Sequence, residues 1–133
     1  MTPDIVNQQL EKVPFFRFLD FTLTELDDTH AVASMPFAER LIGNPLMEYY
    51  HGGIIASFME AVAAISVRHG CDLQPAKPIN LTVDYLRPAV KGPLMAKATV
   101  TRKGKRMASV RTLSWQDDDS RPVAEGLYHF LLV

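Results

Sequence analysis

The fold of this chain is decided by residues 49–67, which read YYHGGIIASFMEAVAAISV. This is the most apolar segment of the protein. It opens with a histidine and two glycines, and it carries a single charge, Glu60. A carboxylate among apolar residues is costly to bury unless it is paired, and such carboxylates are often catalytic. The first amide groups of a helix lack partners within the helix. Unpaired amide donors near a carboxylate are the groups that an acyl-transfer site needs.

The apolar spacing of this segment predicts a helix from about Gly52 to about Arg68, with Gly70 as its C-terminal cap. Four small or polar residues share one face of that helix, because they are three or four positions apart: Gly53, Ser57, Glu60 and Ala64. Large apolar residues occupy the remaining faces, so the helix is expected to be buried on all sides.

The rest of the chain is predicted from shorter patterns. An amphipathic helix is expected from Asp4, as its N-cap, to Val13, with Pro14 ending it. Alternating apolar and polar residues predict strands at 21–26, 30–35, 80–85, 94–102, 107–116 and 123–133, whereas 36–45 is expected to be irregular. Residues 103–105 are typical of a tight hairpin. A strand pair, one long helix and then at least three antiparallel strands predict an α+β fold with one helix packed on the sheet.

Composition sets further limits. The chain has 133 residues, 47% of them hydrophobic and 22% charged, with a net charge of -1. Length predicts one domain spanning 1–133. The charge gives no basic field for nucleic acid, and a single cysteine, Cys71, excludes an intramolecular disulfide. The segment 1–5 lacks the pattern of a signal peptide, and Glu60 interrupts the apolar run before it reaches membrane-spanning length. These features favour a cytoplasmic protein without a membrane segment.

Three motifs together point to a known family. The strongest is His51-Gly52-Gly53 followed by an acid nine residues after the histidine, here Glu60. Weaker matches are Ile42-Gly43-Asn44-Pro45 before it and the segment 83–88 after the helix. With these motifs the chain resembles the hotdog-fold acyl-CoA thioesterases of the phenylacetate-pathway type, within the 4-hydroxybenzoyl-CoA thioesterase superfamily, over about residues 18–133. The resemblance implies a hotdog fold, in which an antiparallel sheet wraps one long central helix, here preceded by a short N-terminal helix.

The resemblance also implies roles for individual residues. Glu60 would act on the thioester as general base or as nucleophile, and the Gly52 amide would bind the developing oxyanion. His51 would orient the loop or bond the leaving sulfur, and Asn44 would hold the water or the substrate carbonyl. Two positions where relatives place a Ser or Thr to hold the water are here Ala64 and Pro78, so Ser57 or Asn44 would substitute. The resemblance further implies a homodimer whose sites are shared between subunits, and a tetramer formed by two dimers.

A dense basic hairpin at 102–106 has two interpretations. It is a solvated turn that protects against aggregation, or it binds the phosphates of coenzyme A. The candidate phosphate ligands, with further cations on the strand ends, are Arg102, Lys103, Lys105, Arg106, Arg87 and Lys91. Gly53 and Ser57 are candidate substrate contacts. Six large residues near the motif suit a tunnel for the acyl group, the core or a subunit interface equally: Leu46, Met47, Tyr49, Tyr50, Phe58 and Met59.

Three functions remain open at this point. An acyl-CoA thioesterase would release free thiol and needs no cofactor, because coenzyme A is part of its substrate. A hydratase or dehydratase of the same fold would act on acyl thioesters without releasing thiol. A non-catalytic module would bind acyl-CoA without turnover. The four scattered histidines lack metal-ligand spacing, and Glu60 could also be structural, paired with an arginine.

Overall fold

The computed structural model describes residues 1–71 and 75–133. Helix α1 spans Pro3–Leu10 and α2 spans Pro14–Leu19, followed by strands β1 (Thr22–Leu26) and β2 (His30–Met35). A 3-10 turn at Glu39–Leu41 leads into β3 (Ile42–Asn44) and β4 (Tyr49–Tyr50), and then α3 covers Gly52–Gly70. The chain ends with β5 (Ala76–Tyr85), β6 (Leu94–Lys103), β7 (Met107–Trp115) and β8 (Ala124–Leu132).

Six strands form one antiparallel sheet in the order β1-β2-β6-β7-β8-β5, and β3 and β4 form a separate hairpin. The sheet wraps around α3, which contacts β1, β2, β5, β6, β7 and β8. The predicted α+β architecture with one long central helix is therefore confirmed.

The core lies between α3 and the concave face of the sheet. Alternate residues of β7 and β8 are buried against the helix, as expected of an antiparallel sheet with one covered face. From the helix side, Phe58, Met59 and Val62 are fully buried. Phe58 and Met59 are thus core residues, which excludes the tunnel role considered for them. Leu46 and Met47 are exposed at the tip of the β3–β4 hairpin instead.

The N-terminal region differs from its prediction. Thr2, and not Asp4, caps α1, since its hydroxyl accepts from the Ile5 amide at 3.4 Å. Pro14 begins a second helix where it was expected only to end the first. This follows from the missing N–H and fixed φ of proline, which suit the first position of a helix as well as the residue after one.

Three further predictions are corrected. Gly70 is the last residue of α3 and the cap is Cys71, whose φ of -120° is not left-handed. Residues 36–45, expected to be irregular, contain the 3-10 turn and β3. Pro78 lies inside β5, at a register shift between Pro78 and Asn80, and not before the strand. Such a position is available because β5 is an edge strand of the sheet.

The packing of Phe58 gives a test of this core. Its ring is fully buried and lies 5.5 Å from that of Phe21 between centroids. We expect Phe58→Ala to lower the free energy of unfolding by about 3–5 kcal/mol, because the site cannot close over the lost ring. Urea titration followed by circular dichroism measures this. Phe15→Ala is the control, since Phe15 is 46% exposed, and it should cost about 1 kcal/mol or less. Equal losses in the two variants would contradict this account of the core.

Candidate active site

Glu60 lies in the middle of α3 and is half-buried. No hydrogen bond or ion pair to its carboxylate is found among the described residues, so the interpretation as a carboxylate paired with an arginine gains no support. Burial raises the pKa of Glu60 above its ordinary value, because desolvation penalises the charged form. A carboxylate that is partly desolvated and still reachable is suited to accept a proton near neutral pH.

A buried tyrosine lies close to this carboxylate. The Tyr128 hydroxyl donates to the Ala56 carbonyl at 2.7 Å, one helical turn before Glu60. Burial first, and then the charges of Glu60 and Tyr85, raise the pKa of Tyr128. Tyr128 therefore stays neutral near pH 7, and it places an uncharged hydroxyl group in the region around Glu60.

The start of α3 is capped by His51. Its Nδ1 accepts from the Gly53 amide at 2.8 Å, and its carbonyl accepts from Ile54 and Ile55 at 3.0 and 3.2 Å. Because Nδ1 is an acceptor, the neutral ring carries its proton on Nε2. The Gly52 amide is the one early N–H of this helix without a partner among the described residues. It also lies at the positive end of the helix dipole, so it is suited to bind an oxyanion.

Two glycines are needed for the ring of His51 to sit over the helix start. A Cβ on Gly43 would come within 2.6 Å of the His51 Cα, and a Cβ on Gly53 would lie 3.0 Å from the ring. Hairpin β3–β4 thus packs directly against the histidine. On the other side, the Tyr85 hydroxyl donates to the Gly52 carbonyl at 2.8 Å. The histidine-glycine-glycine motif is therefore a close-packed helix entry.

Asn44 ends β3 on the same hairpin. Its side-chain oxygen accepts from the Leu46 and Met47 amides at 3.1 and 3.2 Å. This is the bonding of an Asx turn. The side-chain oxygen is therefore used to shape the hairpin, and the predicted role of Asn44 in holding the water or the substrate carbonyl falls to its amide nitrogen.

A shallow cleft runs beside the helix start and contains His51, Gly53 and Ser57. The structure thus brings three of the predicted site residues together. The cleft also contains Arg40, which sequence reasoning missed. Arg40 Nε donates to the Phe18 carbonyl at 2.6 Å, and its guanidinium lies 5.5 Å from the Phe18 ring. The sequence around Arg40 contains no pattern that indicates a site residue, because only the packing of the folded chain brings this side chain to the cleft.

The basic hairpin lies at the opposite end of α3. Lys103 Nζ donates to the Gly70 carbonyl at 2.6 Å, which suits a cation at a helix C-terminus. Gly52 and Gly70 are separated by about 27 Å along the axis, at 1.5 Å per residue. Within one chain, the hairpin is therefore distant from His51, and Arg102, Lys105 and Arg106 lie on this same hairpin.

The other two candidate cations already have partners. Arg87 donates to the Pro122 carbonyl, and it lines a second cleft at the helix start together with Gly52 and Tyr85. Lys91 pairs with Glu48 at 3.2 Å. The phosphate-binding roles of all these cations stay predictions. In the described part of the chain, no group of histidine, cysteine and carboxylate residues could hold a metal ion.

Within residues 1–71 and 75–133, no helix is long and apolar enough to cross a bilayer.

The sequence pattern of the thioesterase superfamily matches residues 47–123, which is more than half of the chain. A Saccharolobus solfataricus protein provisionally named an esterase is 28% identical over 114 residues, which are 84% of this chain and 78% of that protein. A solved structure from Chromobacterium violaceum is 30% identical and has a TM-score of 0.79, covering 98% of this chain and 90% of the other.

A Haemophilus influenzae thioesterase has a TM-score of 0.90, covering 100% of this chain and 91% of the other, at 16% identity. At that identity the likeness shows the fold. With the superfamily match, it confirms the hotdog fold predicted from the sequence.

The burial of Glu60 predicts a pH-dependent change in stability. Because its pKa is raised in the folded state, the folded chain binds the proton more tightly than the unfolded chain, whose glutamate pKa is about 4.3. The protonated Glu60 side chain therefore makes a favourable contribution to the free energy of folding at low pH, and this contribution is lost as pH rises through the folded pKa. We expect Glu60→Gln to raise the Tm at pH 7 and to leave it nearly unchanged at pH 4.

Thermal melts of both proteins across this range measure the difference. Glu125→Gln is the control, since Glu125 lies on β8 and its ion pair with Arg111 is long, at 3.9 Å. A Tm that falls at pH 7 in Glu60→Gln would show that the carboxylate is stabilising, and the interpretation given above would be wrong.

Proposed function

The chain belongs to the thioesterase superfamily, and from this premise we propose that it hydrolyses acyl-CoA thioesters to a free carboxylic acid and coenzyme A. Membership in this superfamily makes the chain a thioester hydrolase. We further propose acyl-CoA as its substrate, Glu60 and Gly52 as its catalytic groups, and the mechanism given below. The observation that carries it is that α3 holds a half-buried carboxylate, Glu60, and a Gly52 amide at its start, neither of which has a hydrogen-bond partner among residues 1–71 and 75–133.

One chain cannot supply both groups to one carbonyl. Gly52 and Glu60 are eight residues apart, about 12 Å along the axis at 1.5 Å per residue. A base and an oxyanion donor acting on one carbonyl each lie about 3 Å from the reacting atoms. Even with the tilt of helical side chains toward the N-terminus, this gap is too wide. A second copy with its helix antiparallel would bring its Glu60 to the Gly52 of the first.

The surface beside Glu60 supports a homodimer. Leu81 on β5 lies opposite the fully buried Tyr128 in register, so it is on the helix side of the sheet, yet it is 44% exposed. Tyr85 is likewise opposite buried Ala124 and 54% exposed. This uncovered apolar surface adjoins the half-buried stripe of α3 that contains Ser57 and Glu60. A two-fold axis through this surface would cover it, and two such dimers would form the expected tetramer.

The proposed reaction uses these groups in one addition and one elimination. Glu60 takes a proton from water, and the water oxygen forms a bond to the thioester carbon while the carbonyl electrons move onto oxygen. The Gly52 amide of the other copy binds this oxyanion. The carbon–sulfur bond then breaks, and the sulfur receives the proton held by Glu60 while His51 Nε2–H donates a hydrogen bond to it. Direct attack by the Glu60 carboxylate on the carbonyl is the alternative for the first step.

Loss of the carboxylate is the first test of this proposal. We expect Glu60→Gln to lower kcat/KM about a hundredfold to ten-thousandfold, the usual contribution of a general base. Release of free thiol from a panel of acyl-CoA esters measures it. Single turnover in oxygen-18 water identifies a nucleophilic Glu60, because water that opens the mixed anhydride at the Glu60 carbonyl leaves the label on the enzyme. Full activity in Glu60→Gln would remove Glu60 from catalysis, and binding without thiol release by the unmodified chain would favour a binding module.

The oxyanion donor can be removed without disturbing the helix. Gly52 is the first helical residue, and His51 before it has a ψ of 133°, so a proline fits there. Gly52→Pro deletes the amide proton, whereas Gly52→Ala keeps it. Both add a Cβ about 3.2 Å from the Tyr85 ring. We expect kcat/KM of Gly52→Pro to be about a hundredfold to a thousandfold below that of Gly52→Ala; equal rates would exclude this amide as the donor.

The shared site predicts complementation between two inactive variants. A dimer of one Glu60→Gln chain and one Gly52→Pro chain holds one site with both groups intact. Random mixing of the unfolded chains followed by refolding should restore about a quarter of the activity, since half of the dimers are mixed and each has one working site. Glu60→Gln refolded alone is the control. No recovery, with mixed dimers shown to form, would place both groups in one subunit.

A further inference from the structure

Tyr128 on β8 connects the sheet to the middle of α3. Its side chain is fully buried, and its hydroxyl donates to the Ala56 carbonyl at 2.7 Å. The strand leaves room for the ring at Gly126, where a Cβ would come within 2.7 Å of Tyr128 Cε1 and 2.8 Å of Thr112 Oγ1. A glycine inside a strand often marks a place where another group approaches closely. Gly126 therefore allows the tyrosine ring to lie against the sheet.

The bond from Tyr128 reaches the helical hydrogen bond that holds Glu60. The Ala56 carbonyl is the acceptor for the Glu60 amide, because amides in an α-helix donate to the carbonyl four residues earlier. The Gly52 carbonyl accepts from the Ala56 amide by the same rule, and the Tyr85 hydroxyl also donates to it at 2.8 Å. Two tyrosine hydroxyls thus bond to successive carbonyls of the column of hydrogen bonds that leads from Gly52 to Glu60. These bonds fix the turn before Glu60 relative to the sheet.

The side chain of Glu60 leans toward the Tyr128 hydroxyl. Side chains of a helix tilt toward its N-terminus, so the Glu60 carboxylate lies over the turn that contains Ala56. Burial first, and then the charge of Glu60, raise the pKa of Tyr128. The Tyr128 hydroxyl is therefore a close and uncharged polar neighbour of the carboxylate.

The other titratable groups around α3 come from several elements. Strand β5 brings Tyr85, helix α2 brings Arg17, and Arg40 lines the cleft beside the helix start. The buried residues of β1, β2, β6 and β7 are uncharged, as are those of β8 apart from Tyr128. The cations of α3 itself lie in its last turn. Within residues 1–71 and 75–133 no cation pairs with Glu60, so its proton affinity depends on burial and on the polar groups beside it.

We propose that Tyr128 is a positioning residue for the base: its hydroxyl fixes the turn of α3 that carries Glu60 and keeps the Ala56 carbonyl from opposing the negative charge of the carboxylate. The inference rests on the hydrolysis proposed above, in which Glu60 takes a proton from water. A carbonyl oxygen carries partial negative charge, which the hydroxyl hydrogen offsets. Without the hydroxyl, Glu60 would face a less compensated carbonyl and a more apolar neighbour, and both disfavour its charged form. Tyr128 thus lets Glu60 ionise at a lower pH than burial alone would allow.

Removal of a single oxygen atom tests this inference. Tyr128→Phe keeps the ring that fills the core and deletes only the hydroxyl. We expect it to raise the pKa of Glu60 by about one unit, the size of one net hydrogen bond. Carbon-13 NMR of protein labelled at its glutamate carboxyl carbons measures this pKa, and the Glu60 signal is the one that Glu60→Gln removes. An unchanged pKa of Glu60 would overturn the inference whether or not the chain hydrolyses acyl-CoA.

The pH profile of thiol release tests the effect on the reaction. Because the base must be ionised to act, we expect kcat/KM of Tyr128→Phe to be about tenfold lower on the acid side of the profile and equal to that of the unmodified chain at high pH. KM should stay nearly the same, since the buried Tyr128 does not reach the substrate. An equal loss of kcat/KM at every pH would show a purely structural role and would overturn the inference.

Phe130→Leu is the matched control. Phe130 is fully buried on the same face of β8, two residues after Tyr128, and its ring has no hydroxyl to donate. The variant should lower the Tm without moving the pKa of Glu60 or the acid side of the pH profile. If it moves them as far as Tyr128→Phe does, loosened packing is the cause and the inference is wrong.

Failure of the inference and failure of the proposed function are distinguishable. If the unmodified chain releases no thiol from any ester, the proposed activity fails, and the NMR titration still decides whether Tyr128 controls the ionisation of Glu60. If the pKa of Glu60 rises in Tyr128→Phe while the pH profile stays the same, Glu60 is not the base, and the effect of Tyr128 on the reaction is overturned with it.

Discussion

Helix α3 has to fill the core with one face and stay partly open to solvent with another. Its large residues, Phe58, Met59 and Val62, must fill the concave face of the sheet, and they are fully buried there. Its small and polar residues form a stripe that the sheet leaves open, and Ser57 and Glu60 on this stripe are only half-buried. Because the sheet covers one side of the helix, the carboxylate keeps access to substrate while it loses part of its hydration. The raised pKa of Glu60 is the direct consequence of this arrangement.

The start of α3 is determined by which of its first amide groups have an acceptor. His51 satisfies three amide groups, one with its ring and two with its carbonyl. The Gly52 amide has no such acceptor among the described residues and can donate a hydrogen bond to an anionic ligand. This arrangement requires that Gly43 and Gly53 lack side chains, since either Cβ would collide with or crowd the histidine. The motif therefore fixes the positions of the amide donors. One ring nitrogen of His51 has a structural role as the helix cap, and the other has no partner among the described residues.

Much of this could be predicted from local patterns. The α3 helix and the strands β2, β6, β7 and β8 follow periodicities that extend over six or more residues, and the structure confirms them within a few residues. The second helix and β3 could not be predicted, because Pro14 and the segment 36–45 contain signals that suit both a break and a short element. Arg40, Tyr85 and Tyr128 were missed for a different reason. Each reaches the site from a distant segment, so only the packing and the pairing of β5 with β8 place them there.

The length of α3 connects the base and the oxyanion donor in the proposed mechanism. The Gly52 amide and Glu60 are about 12 Å apart along the axis, so the two groups lie far apart within one chain. A second copy of the chain with an antiparallel helix would present its Gly52 amide to the Glu60 of the first copy. In the proposed dimer, each site would then take its base from one subunit and its oxyanion donor from the other.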